Sequence, residues 1–397
     1  MLDVPLGSLR VLELGQFLAG PYCGQLLADM GADVVKVEPP GRGEQGRTMM
    51  GQTVAGPDTA FFIAVNRNKR SVTVDLKSPE GKEVFHRLVA TADVLVENFR
   101  PGVTARLGID YESLREVNPA LVYASISGFG QTGPYRDLRA HDLIAQGMSG
   151  MMSVTGDPDG PPEKAGLSIA DLSAGLFGAF GVLTAYVSRL RTGRGQAVDT
   201  SIFEGPLALS VFETAQLWAL GELPRPVGST NRSSAPNQAF RARDGHLNIC
   251  ATNEKLWAQL CQAIDRLDLT DDARFTTNAD RLQNQTALAV ELEATLRKRD
   301  KTEWVEIIRN AGVPAGPIYD YQEVFEDPHT QAREMVVEMD HPLEGRVRGL
   351  GIPVKLSETP GRIRRPAPLL GQHTDETLTE LGYSADEIRT LRGNGVV

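Results

Sequence analysis

One aspartate among the 397 residues stands in a setting that asks for chemistry. Asp171 opens an apolar stretch, and none of the sixteen residues after it is charged. Gly175, Gly178 and Gly181 recur there, which suits a helix brought close against another backbone. Two roles fit the acid. Ser168-Ile-Ala-Asp171 matches a capping box, in which an acid in the first turn satisfies free N–H groups. The same carboxylate could be a nucleophile: a helix N-terminus favours the anion, and in dry surroundings that anion is poorly solvated and more reactive. The two roles are compatible, and the residues alone leave both open.

Other reactive combinations are weaker. GRGEQG at 41–46 matches G-x-G-x-x-G and, extended, nearly matches a phosphate-binding loop. Both motifs need a helix opening directly after the glycines. The next residues bring two more glycines and a proline, so no such helix is expected, and Arg47 replaces the loop's lysine. The histidines at 86, 141, 246, 329, 341 and 373 show no metal-ligand spacing, so no metal is expected. Cys23 would need a base and an orienting partner to act as a nucleophile, and a packed thiol is the simpler reading. With Cys250 and Cys261 it makes a sparse, odd set without a C-x-x-C pair, which suits a reducing compartment and a cytoplasmic location.

A net charge of -10 speaks against a general nucleic-acid binder but leaves room for a local basic pocket. The N-terminus carries Asp3 and no basic n-region, so it does not read as a secretory signal. Residues 169–187 approach membrane-spanning length, but Asp171 and many small residues favour a helix buried on all sides over a membrane span.

The elements that would position Asp171 alternate. RVLELG and ADVVKVEPP read as strands flanking a helix over PYCGQLLADMG, a βαβ unit with a right-handed crossover. RSVTVDL, DVLVENF, LVYASISGFG and GQAVDTSIFE read as further strands, with a helix opened by Ser78-Pro79 and the long helix from 169 between them. Such alternation predicts a doubly wound α/β domain with a parallel sheet. GELPRPVGSTNRSSAPNQAF reads as linker, followed by a smaller α+β segment with helices over NEKLWAQLCQAI and TALAVELEATLRKR; from AGVPAGP onward the chain reads as loops and short strands. The predicted layout is a large Rossmann-like domain over 1–205 completed by 330–397, a linker over 206–235, and a small domain over 236–329.

Six segments in order, LRVLELGQFLAGPYCGQLLADMGADVVKVEPPGRGE, NRNKRSVTVDLK, DVLVENFRPG, SIADLSAGLFGAFGVLTA, TGRGQAVDTSIFE and APLLGQHTDE, resemble the family III CoA-transferases across essentially the whole chain. The resemblance implies an enzyme that moves coenzyme A from an acyl-CoA donor to a carboxylic acid acceptor. Asp171 would attack the thioester, giving a mixed anhydride and then an aspartyl-CoA thioester. No cofactor is held permanently; a coenzyme A thioester is substrate. The family's CoA pocket falls on Leu18 and Ala19, Val74, Asp75, Leu76 and Lys77, Asn98, Phe99 and Arg100, Arg106, Arg139 and His141. Lys77, Arg100, Arg106 and Arg139 could pair with CoA phosphates. Leu18, Pro39 and His141 depart from the formyl-CoA transferase pattern, and no tetraglycine loop follows the linker, so formyl-CoA and oxalate are not expected as substrates. Succinyl-CoA with a dicarboxylate acceptor is the expectation. An alternative from the same superfamily is an α-methylacyl-CoA racemase, with His141 and Asp171 as proton carriers and an acid near Glu254. An interlocked homodimer is also implied.

Overall fold

Short segments build six parallel strands, β1 (Arg10–Glu13), β2 (Asp33–Glu38), β3 (Lys69–Thr73), β4 (Val94–Glu97), β5 (Val122–Ser127) and β6 (Ala197–Ser201), Val-rich except β3 and β6. The computed structural model describes residues 4–49, 51–53 and 55–397; Asp3 lies outside them. Every neighbouring pair is parallel, and the order is β3-β2-β1-β4-β5-β6. This is the doubly wound α/β sheet that the alternation predicts. The chain winds outward from β1 to β3, then returns to the other side of β1 at β4. A crevice therefore opens between the carboxyl ends of β1 and β4, where ligands bind in such sheets.

Side-chain alternation gives the sheet two cores. Val11, Val34, Val94, Val96 and Ala124 face helices α1 (Ala19–Asp29) and, later in the chain, the long helix Ile169–Thr192. Leu12, Val35, Leu95 and Tyr123 face α2 (Pro79–Thr91) and the C-terminal Leu378, Ile388 and Val396. The Ser78 side chain caps α2 by accepting from Gly81 N–H at 3.0 Å, as the Ser-Pro start predicts. A short helix, α3 (Asp142–Met148), precedes the long one, α4 (Ile169–Thr192), and α5 (Glu204–Leu209) follows β6.

The long helix departs from expectation. It is long and apolar enough to cross a membrane by length and composition, but it lies in the crossover from β5 to β6. Only one stripe is buried, through Ala170, Ala174, Gly178, Val182 and Ala185, while Phe180, Val187 and Leu190 are exposed. A crossover helix covers a sheet with one face, so the reading of burial on all sides is corrected.

The chain forms two compact units, one of 1–151, 165–215 and 331–397, the other of 152–164 and 216–330. The stretch 206–235 begins as helix, through α5 and then Val211–Leu220, rather than as linker throughout. In the second unit β7 (Asn237–Arg241), β8 (His246–Cys250) and β9 (Ala315–Pro317) form an antiparallel sheet. Trp257, Leu260, Leu292 and Trp304 of its helices share a core with Phe240 and Leu247. Beyond residue 320 the chain holds helices Tyr321–Glu326, Pro328–Ala332, Thr374–Glu380 and Ala385–Gly393, which composition did not reveal.

Candidate active site

The turn after β1 enters the crevice in a constrained shape. Phe17 has a φ of 60°, a left-handed conformation uncommon for a non-glycine residue. Its surroundings hold it there. Asn98, the first residue after β4, accepts from Gln16 N–H at 2.7 Å and donates to Gln16 O at 2.8 Å. Glu44 accepts from Phe17 N–H at 3.1 Å. Leu18 and Ala19 are buried at the start of α1. Gly20 has no space for a side chain: a Cβ would meet Gly15 Cα at 3.0 Å and Asn98 Cγ at 3.1 Å.

Beneath this turn lies a buried set of charges. Lys36 donates to Glu13 at 2.9 Å and to Gly15 O at 2.8 Å, and stands 3.5 Å from Glu44. Lys69 lies 2.6 Å from Glu13 and donates to the carbonyls of Pro21 and Val65. Burial pushes Lys69 down to about 8 in spite of Glu13. For Glu13 burial pushes upward, but the two ammonium groups outweigh it and hold the acid below its usual range. The glycine motif at 41–46 belongs to the same set. A one-turn helix, Gly46–Met49, does open there, contrary to expectation. Its Gly46 N–H is already taken by Glu44 at 2.7 Å, and Arg47 is buried against Glu38 at 2.7 and 2.8 Å and Asp58 at 2.8 Å. No phosphate contact is left for Arg47.

Asp171 sits in the first turn of α4, half-buried. The Ser168 side chain makes no capping hydrogen bond. The cap is Asp142, which accepts from Ala170 N–H at 2.9 Å and, more weakly, from Asp171 N–H at 3.4 Å. The capping box is therefore not formed, because an acid from α3 occupies the helix end. Among the described residues no donor reaches the Asp171 carboxylate. Burial pushes its pKa up to about 7, with the Asp142 charge adding to the rise. The expectation that the helix end keeps this acid ionised is thereby corrected. One turn further on, Gly175 packs on α1, where a Cβ would stand 2.9 Å from Ala19 O. Gly178 and Gly181 meet side chains instead, those of Ile126 and Val198.

A second unusual acid closes β4. Glu97 is buried, accepts from Phe99 N–H at 2.7 Å, and is pushed up to about 7 by burial, with Asp199 adding to the rise. Sequence reasoning missed it, although an acid ending a Val-Leu-Val strand is an available signal. Cys23 is buried in the α1 packing and pushed up to about 12, so its thiol is inert.

The residues expected to hold coenzyme A leave the carboxyl ends of β1, β3, β4 and β5, and so share one edge of the sheet. Val74 is buried, and Asp75 N–H donates to Val396 O at 2.8 Å, so the C-terminal segment supports the stretch through Leu76 and Lys77. Phe99 and Leu76 pack against the same core. Lys77, Arg100, Arg106 and Arg139 are exposed, and none forms an ion pair among the described residues. His141 is exposed at the N-cap position of α3 without a capping bond from its side chain. Glu254, in the second unit, is fixed by Arg281 at 2.8 Å and by Asn278 N–H at 3.1 Å, and the Arg281 bond holds it below the usual carboxylate range.

Comparison with known proteins places the whole chain. The chain is 39% identical to the succinate–glutarate CoA-transferase of Agrobacterium fabrum, over 95% of this chain and 96% of that one. It is 42% identical to the acetyl-CoA:oxalate CoA-transferase of Acetobacter aceti, over 93% of each. A crystal structure of a CaiB/BaiF family protein from Brucella suis superposes with a TM-score of 0.88 at 37% identity, covering 96% of this chain and 100% of that one. The model of CoA-transferase family III matches residues 6–374. With the match spanning both ends of the doubly wound sheet and the small unit between them, this chain belongs to CoA-transferase family III, a family of enzymes that transfer coenzyme A.

Proposed function

We propose that the enzyme passes coenzyme A between two carboxylic acids through Asp171. The observation that carries the reading is an acid at the ligand-binding edge that is half-buried, without a donor among the described residues, and relieved of capping. Such an anion is a strong nucleophile for a carboxylate. Its oxygen attacks the donor thioester carbonyl and CoA thiolate leaves, giving a mixed anhydride. The thiolate then attacks the aspartyl carbonyl and expels the donor acid, leaving an aspartyl-CoA thioester. The acceptor carboxylate attacks that carbonyl, expels the thiolate and forms a second anhydride. Attack of the thiolate on the acceptor's carbonyl releases the new acyl-CoA and frees Asp171.

Lys77, Arg100, Arg106 and Arg139 would meet the coenzyme's phosphates; each is exposed and without a carboxylate partner among the described residues, which supports the reading. Leu18, Ala19, Val74, Asp75, Leu76, Asn98, Phe99 and His141 complete the proposed pocket. Succinate and glutarate in the name of one relative support short dicarboxylates as the acids exchanged, with succinyl-CoA as the donor to try first. The exposed face of α4, with Phe180 at 69% and Leu190 at 68% exposure, supports a homodimer. The unpaired thiols suit a cytoplasmic enzyme. The racemase alternative, with His141 and Asp171 exchanging an α-proton, is less well supported, because Glu254 is committed to Arg281.

The test is chemical. Protein mixed with succinyl-CoA and quenched with hydroxylamine should carry the modification on the peptide containing Asp171. A modification mapped elsewhere, or α-deuteration of a 2-methylacyl-CoA in heavy water without CoA exchange, would overturn the reading.

A further inference from the structure

We propose that Asp142 is a positioning residue for Asp171, holding the backbone beneath it and keeping a negative charge beside it. The proposal rests on Asp171 being the reactive carboxylate. Both Asp142 oxygens are engaged. Oδ1 takes the N–H groups of Ala170 and Asp171, and Oδ2 accepts from Gln146 Nε2 at 2.6 Å. Gln146 is fully buried; its Oε1 accepts from Ala165 N–H at 2.9 Å and its Nε2 also reaches Leu167 O at 3.3 Å. Asp142 and Gln146 thus clamp residues 165–171 onto α3.

The two acids share one helix end on unequal terms. Asp142 holds the free N–H groups at the start of the helix. Asp171 is left with burial and its neighbour's charge, which disfavour its anion. Other titratable groups on the elements packed against α4 are Tyr22, Cys23 and Asp29 on α1, Tyr123 on β5, Asp199 on β6 and Glu204 on α5. Burial is the main cause of the Asp171 shift, and of the titratable groups only Asp142 adds to it.

A serine or asparagine would keep an oxygen for the helix end; each gives up the charge and also the second acceptor that Gln146 Nε2 uses. In Asp142→Asn and Asp142→Ser the cap oxygen remains and the charge is gone. The acid limb of kcat/KM, which reports Asp171 ionisation in wild type, should move to lower pH. A fall of one pH unit would raise the ratio of activity at pH 6 to that at pH 8 roughly five-fold. Asp142→Glu, which keeps the charge, should leave the limb in place. If both neutral variants keep the wild-type limb, Asp142 is a helix cap only and the proposal is wrong. The parent reading fails separately: Asp171→Asn would stay active, or the hydroxylamine modification would leave Asp171.

Discussion

Replacing Asp171 by asparagine keeps the shape of the side chain and removes its charge, and the structure gives that change a sign. The carboxyl sits near 7 in the folded chain and near 3.8 when free. Between those values the folded state keeps a proton that the unfolded state has lost, so stability falls as pH rises through the window. At about 1.4 kcal/mol per unit, ionised Asp171 costs on the order of 4 kcal/mol by pH 7, an upper figure before local relaxation. No capping bond is lost in return, since Asp142 closes the helix end. The asparagine variant should therefore melt a few degrees above wild type at pH 8, with the gap shrinking toward pH 5 as wild type takes up its proton. Thermal melts of both proteins at one protein concentration, stepped across that range, read the effect directly. Turnover should meanwhile fall by several orders of magnitude, as for loss of a covalent nucleophile. A variant that melts below wild type at pH 8 would mean that the anion is well solvated and supports the helix, which would refute the reasoning.

Two further outcomes follow from other parts of the sheet edge. Lys77→Ala and Arg106→Ala should each raise KM for acyl-CoA with little change in kcat, and should flatten its dependence on salt; an unchanged KM in both would remove these cations from the phosphate site. Lys36→Met leaves Glu13 facing only Lys69 and strands Glu44, so the protein should lose roughly 3–5 kcal/mol of stability by denaturant titration, whereas a loss below 1 kcal/mol would mean that water enters the cluster.

The fold was readable because its signals are local. Val-rich runs closed by turns mark the strands, Ser78-Pro79 marks a helix start, and alternation fixes the layers. The site was readable only in part, because what decides its chemistry is contact across the chain. Ser168 and Asp171 look like a box in sequence, but the helix end is taken by an acid 29 residues earlier. Glu13, Lys36 and Lys69 look like ordinary charges on strands, and nothing local says that all three are fully buried. Glu97 stands inside a recognised segment but carries no catalytic signature of its own. The helical part of 206–235 was hidden by the Pro- and Ser-rich stretch behind it, which dominated the reading of the whole segment.

The turn after β1 has a consequence for how such an enzyme can change. Its backbone is held from outside, by Asn98 on one side and Glu44 on the other, so its shape does not depend on which side chain occupies position 18. Leu18 itself contributes a buried apolar group and no side-chain hydrogen bond to the turn. Conformation and chemistry are thereby assigned to different residues. In the proposed pocket, a lineage can try new side chains at position 18, and with them new acids, while Asn98 and Glu44 keep the scaffold fixed. Substrate range is the trait that this arrangement leaves free to drift.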